Sequence, residues 1–157
     1  MREIKFRGKS DKYGWVYGNL SYREEDGNSA VFIEDQGFCG DLTPVDRDTI
    51  GQYTGLKDAN GKEIYEGDII RVEEYWNELM DIEHEENDFE VFSLEEIKGK
   101  KRNEFVSPVI WEDGVFSVYD SEDNGYYLSI LAGDMRRSQP IFISTIIGNV
   151  YDNPELL

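Results

Sequence analysis

The chain is poor in the residues that most often carry chemistry. It has one cysteine and one histidine in 157 residues. With Cys39 alone, an internal disulfide, a CxxC redox pair and a cysteine-based metal site are all excluded. A nucleophile at Cys39 has only His84 to draw on as a histidine base, so the usual catalytic triads are nearly excluded and Cys39 reads as buried or inert. No run approaches the ~18 apolar residues that a membrane-spanning helix needs. The opening "MREIKFRGK" lacks the apolar stretch of a secretory signal. A cytoplasmic setting is the expectation. Positive charge is scarce as well: 16 Lys plus Arg stand against 34 Asp plus Glu, a formal net charge of −18. Such a surface repels phosphate backbones and anionic membranes, which argues against direct nucleic-acid binding and against membrane association. It suits a very soluble protein, or a partner with a basic surface. DNA mimicry is a special case of the latter.

Aromatic residues are abundant. Ten Tyr, eight Phe and three Trp supply a core, so wholesale disorder is not expected. The length fits one domain, or two small ones sharing a core. The pattern is that of short strands separated by turns. "IKFR" places Ile4 and Phe6 on one face and Lys5 and Arg7 on the other, and "WVYG" follows as its hairpin partner. "AVFIED" is a third strand. Residues 36–48 read as irregular.

"QYTGLKDANGKEIYEGDIIRV", residues 52–72, is the most punctuated stretch. Asn60-Gly61 is a type I′ hairpin signal, and a two-residue loop there sets Lys57 opposite Ile64 and Leu56 opposite Tyr65. Gly67 marks a second break, at a position hard for a side chain. Further on, Asp113-Gly114 signals another type I′ turn, which sets Trp111 opposite Phe116 and Val109 opposite Val118. Between these hairpins lies "EEYWNELMDIEHEENDFE", acidic and without a Lys or Arg, where Tyr75, Leu79 and Ile82 fall near helical spacing. A short helix with one apolar stripe is expected there. Lys98, Lys100, Lys101 and Arg102 then form the one basic cluster, which most simply neutralises the acids beside it.

Motifs with a mechanism are few. Asp120, Glu122, Asn124 and Gly125 echo the first half of a calcium loop, but Leu131 occupies the position of the bidentate glutamate, so a polar hairpin connection is the better reading. His84 sits among Glu83, Glu85, Glu86 and Asp88. Neighbours in sequence do not make coordination geometry, and no metal or cofactor is expected. The Gly61-Lys62 pair lacks the strand-loop-helix context of a phosphate cradle.

Taken together, "MREIKFRGK", "WVYG", "VDRDTIGQYTGLKDANGKEIYEGDIIRV" and "IIGNVYDNPELL" resemble the YopX family, small proteins of bacteriophages and of prophages in Gram-positive bacteria. The four motifs cover about half of the chain, in order. Gly8-Lys9 stands where the family's opening can have Ala-Trp, so a Trp there is not a shared site. The resemblance implies a mainly β fold of short antiparallel strands with an SH3-like barrel in the C-terminal half. On this chain that gives an N-terminal β-rich subdomain at 1–61 and a barrel at 62–157, with a small acidic, partly helical insertion at about 73–102. It carries no catalytic residues to transfer.

The functional expectation is a phage or prophage accessory protein acting by protein contacts through an acidic surface, with a basic-surfaced host or phage protein as partner. The candidate contact residues are Glu73, Glu74, Glu78, Asp81, Glu83, Glu85, Glu86 and Asp88. Asn60, Gly61, Gly67, Asp113 and Gly114 are structural turn positions. The alternatives are a small-ligand binder or enzyme using Tyr53, Tyr65 or Asp68, and a DNA-mimicking regulator. The aromatic content is compatible with a homo-oligomer, but no heptad or interface motif calls for one.

Overall fold

The computed structural model describes residues 3–25, 28–34, 42–76, 100–128 and 141–157. Among the described residues twelve strands appear in chain order: β1 (Phe6–Ser10), β2 (Gly14–Glu25), β3 (Asn28–Glu34), β4 (Leu42–Pro44), β5 (Gly51–Lys57), β6 (Glu63–Tyr65), β7 (Asp68–Trp76), β8 (Lys100–Pro108), β9 (Ile110–Glu112), β10 (Val115–Tyr119), β11 (Gly125–Tyr127) and β12 (Ile141–Asn149). They form a six-stranded sheet in the order β4-β3-β2-β1-β5-β6 and two three-stranded sheets, β12-β7-β8 and β11-β10-β9. The pairings between them are antiparallel.

The expected SH3-like barrel is therefore corrected. Among the described residues no hydrogen-bonded pairing closes β9–β11 onto β12-β7-β8. The break falls at Pro108, which has no N–H to continue a ladder. The next residue, Val109, instead exchanges backbone bonds with the β6–β7 turn: its N–H reaches Asp68 O at 2.8 Å, and its carbonyl accepts from Gly67 N at 2.9 Å. The chain thus leaves β7 and starts a separate small sheet. Both small sheets and β5–β6 share one core, built from Ile64, Ile70, Val72, Phe105, Val109, Phe116, Val118 and Leu128, with Leu56, Tyr126, Phe142 and Ile146 packed against it.

The expected helical insertion is corrected as well. Glu73–Trp76 continue β7, and Lys100–Arg102 open β8. β7 is the central strand of its sheet, so its backbone groups are paired on both sides, with β12 and with β8. A strand also sends Glu73 and Glu74 to opposite faces, whereas a helix would crowd like charges. Among the described residues two short 3-10 turns occur, Arg47–Thr49 and Pro154–Leu156, and Leu128 after β11 has helical backbone. Residues 77–99, with the rest of the acidic run, lie outside the described residues. Within 36–48, expected to be irregular, Leu42–Pro44 forms a short edge strand against β3.

Two hairpins differ instructively. Asp113 (φ 50°) and Gly114 (φ 84°) both adopt left-handed backbone, the type I′ pattern, and Phe116 pairs with Trp111. The β5–β6 connection is longer than two residues. Lys57 pairs with Glu63 rather than Ile64, and Tyr65 with Tyr53 rather than Leu56. The cause is Asp58. One of its carboxylate oxygens accepts from the Asn60 and Lys62 N–H groups, each at 2.9 Å, which builds a five-residue turn with Gly61 at φ 81°. The other oxygen accepts from Ile146 N at 3.1 Å and so pins the turn to β12.

Candidate functional site

A cleft of about 630 Å³ lies between the N-terminal sheet and β12. Arg7 lies at its centre. Arg7 on β1 is 5% exposed, whereas Lys9 two residues on is exposed, so burial is specific to Arg7 rather than to one face of the strand. The Arg7 guanidinium carbon lies 4.8 Å from the centre of the Trp15 ring and 5.3 Å from that of the Tyr65 ring, so the cation packs over two aromatic rings. Its two terminal nitrogens donate to Asp68 Oδ1 at 2.5 Å and to the Glu66 carbonyl at 3.0 Å. Nε is a buried side-chain nitrogen without a hydrogen-bond partner among the described residues.

Asp68 is placed by the turn that Gly67 (φ 80°) makes possible. Its second oxygen accepts from Tyr65 N at 2.8 Å. Burial raises the Asp68 carboxyl above its ordinary value, and the Arg7 charge and the Tyr65 N–H offset this only in part. Both carboxylate oxygens are engaged, so Asp68 organises the site rather than standing ready as a base.

A second set of groups lines one wall. Lys5 Nζ and the Tyr65 hydroxyl both donate to Glu63 Oε2, at 2.7 and 2.8 Å. The hydrogen bond from Lys5 lowers the Glu63 carboxyl, and the same bond raises Lys5. Desolvation, then the bond to Glu63, pushes the Tyr65 hydroxyl far above its ordinary value. Tyr65 also packs against Tyr17 and Tyr53, each at 5.4 Å between ring centroids. At the rim, Asp152 accepts from Lys9 Nζ and Trp15 Nε1, both at 2.6 Å, and from Asn149 Nδ2 at 3.0 Å. These bonds, Asn149 first, hold its carboxyl well below the usual range. Such an assembly of paired charges and aromatic rings suits binding better than proton transfer.

The residues singled out from sequence fall in different places. Tyr65 and Asp68 line the cleft; Tyr53 is buried behind Tyr65. Glu73 and Glu74 lie on β7, away from the cleft, and Glu73 pairs with Lys101 at 2.8 Å. Glu78, Asp81, Glu83, Glu85, Glu86 and Asp88 lie outside the described residues, as do Cys39, His84 and Lys98. Asp120 does not form a calcium loop. Its carboxylate accepts from the backbone of Glu122 and Asn124 and from the Asn124 amide, closing the β10–β11 connection. Among the described residues no cluster of three or more His, Cys, Asp or Glu is arranged to hold a metal ion. Sequence reasoning missed Arg7, Trp15, Lys5 and Glu63. A basic residue alternating with apolar ones reads as a solvent face, and the available hint was that "IKFR" and "EGD" both occur among the resembling motifs.

The family model described as YopX protein matches residues 5–157. The chain belongs to the YopX family. The crystal structure of protein yopX from Bacillus subtilis resembles this YopX-family chain with a TM-score of 0.50 at 21% sequence identity, covering 100% of this chain and 99% of that one. That likeness is one of fold. A search of curated proteins found no match.

Proposed function

We propose that this YopX-family protein is a phage or prophage accessory protein that works by presenting its acidic run to a basic-surfaced protein. One observation carries the reading. Trp76 on β7 pairs directly with Lys100 on β8, so residues 77–99 leave and re-enter the sheet at one point. That segment contains nine acids against one lysine, out of a whole-chain charge of −18. Its two ends are held side by side by the central strand of a sheet. This suits a displayed recognition element better than a linker between units. Opposite charge on a partner would steer encounter and set specificity.

The pairing also supplies the test. Replacing residues 77–99 by Asn-Gly closes a β7–β8 hairpin with a type I′ turn. The full chain is expected to capture a basic protein from a Gram-positive bacterial lysate in a salt-sensitive manner. After purification, that partner is expected to bind the full chain and not the shortened one, while both chains keep the same far-UV dichroism. Equal binding of the partner by the shortened chain would remove the acidic run from the function. So would an affinity that salt does not change.

A further inference from the structure

The described lining of the cleft around Arg7 includes neither Glu73 nor Glu74 of the acidic run. We infer that it is a binding site for a small organic anion carrying a planar ring, of the size and kind of a nucleoside monophosphate. Volume is the first reason. About 630 Å³ falls within the ~300–1,000 Å³ typical of small-ligand sites, and an inorganic ion needs far less. Charge is the second. The lining holds three cationic side chains, Lys5, Arg7 and Lys62, and two carboxylates, Glu63 and Asp68. Lys5 pairs with Glu63 and Arg7 with Asp68. Lys62 remains, without an ion-pair partner among the described residues, at the exposed edge of the β5–β6 turn. Among the described lining residues the cationic side chains thus outnumber the carboxylates by one, in a protein of net charge −18.

The aromatic walls are the third reason. Trp15 and Tyr65 are occupied in covering Arg7, but Tyr17 lines the same cleft with 42% of its surface exposed. A planar ring entering the cleft would stack on Tyr17, and its anionic group would meet Lys62. Asn153 also lines the cleft; its Oδ1 accepts from Asn149 N at 3.4 Å, which leaves its amide Nδ2 to meet uncharged polar atoms of the ligand. The surface that repels a nucleic-acid backbone, with its many phosphates, thus contains one place suited to a single phosphate and a single ring.

The test is calorimetric titration of the full chain at low salt with adenosine monophosphate, adenosine, ribose phosphate and inorganic phosphate. Adenosine monophosphate is expected to saturate one site. Adenosine, which lacks the charge, and ribose phosphate, which lacks the ring, are each expected to bind at least about tenfold more weakly. Lys62→Glu is expected to weaken the nucleotide by at least about tenfold and to leave adenosine unchanged. Tyr17→Ala should weaken both. Both positions are solvent-facing, so dichroism is expected to remain that of the parent. Lys101→Glu on β8, outside the cleft, serves as the charge control and should leave binding unchanged. Three results would overturn the inference: no saturable heat with the nucleotide, equal affinity for inorganic phosphate, or a loss in Lys101→Glu as large as in Lys62→Glu.

Discussion

Arg7 and Asp68 stand 61 positions apart in sequence and 2.5 Å apart in space. Their side chains are 6% and 3% exposed, so neither charge has water to fall back on. Desolvation makes such a pair weak evidence of net stability, but it makes breaking the pair costly. Arg7→Met is expected to destabilise by about 3–5 kcal/mol because Asp68 is then buried without its counter-charge. Asp68→Asn should fall in the same range for the mirror-image reason, and its amide oxygen can still accept from Tyr65 N. The double variant should be more stable than the sum of the two predicts, by up to about 3 kcal/mol. Urea unfolding of the four proteins measures this cycle. Strict additivity would mean that the two charges do not depend on one another.

At the scale of elements, two glycines separate two kinds of cost. A Cβ on Gly51 would collide with the Glu66 carbonyl oxygen, a backbone atom held in place by Arg7. A Cβ on Gly114 would meet nothing within 4 Å, but the residue sits at φ 84°. Gly114→Ala should therefore cost only its backbone strain, about 1 kcal/mol. Gly51→Ala should cost more, towards or beyond about 3 kcal/mol, because β5 and the β6–β7 turn must move apart. The reverse order, read from midpoints in the same denaturant series, would remove the close-approach argument. These two positions also mark what the sequence could reveal. The Asp113-Gly114 hairpin was legible because its turn type and its Trp111–Phe116 pairing are decided within a few residues. The β5–β6 register was not, because Asp58 answers to Ile146, 88 positions away. Nor was the lack of barrel closure among the described residues, because whether Pro108 ends a ladder depends on where Val109 finds its partners. Half of the cleft was legible, in Tyr65 and Asp68. The other half was not, because an arginine in an amphipathic strand shows no local sign that its carboxylate waits beyond the next five strands.

Over the whole molecule, net charge and tyrosine content act in the same direction at high pH. Burial raises the hydroxyls of Tyr53, Tyr65, Tyr75, Tyr126 and Tyr151, and the hydrogen bond to Glu112 raises Tyr119. The bond to Glu63 raises Lys5 in the same sense. A group whose proton is held more tightly in the folded state contributes stability that is fully present below its unfolded value, here near ~10 for tyrosine. That contribution is lost as pH rises through the folded value. Each tyrosinate formed would also add a negative charge to a chain already at −18. The protein is therefore expected to unfold cooperatively above about pH 10, with tyrosinate absorbance and loss of far-UV dichroism rising in one step. Screening should oppose the repulsive part: the Debye length falls from about 10 Å at 0.1 M salt to about 3 Å at 1 M, so the midpoint should move to higher pH as salt is added. A gradual absorbance rise with unchanged dichroism would show that the tyrosines ionise in place. A midpoint indifferent to salt would show that burial alone sets the alkaline limit and that the acidic surface carries no strain of its own.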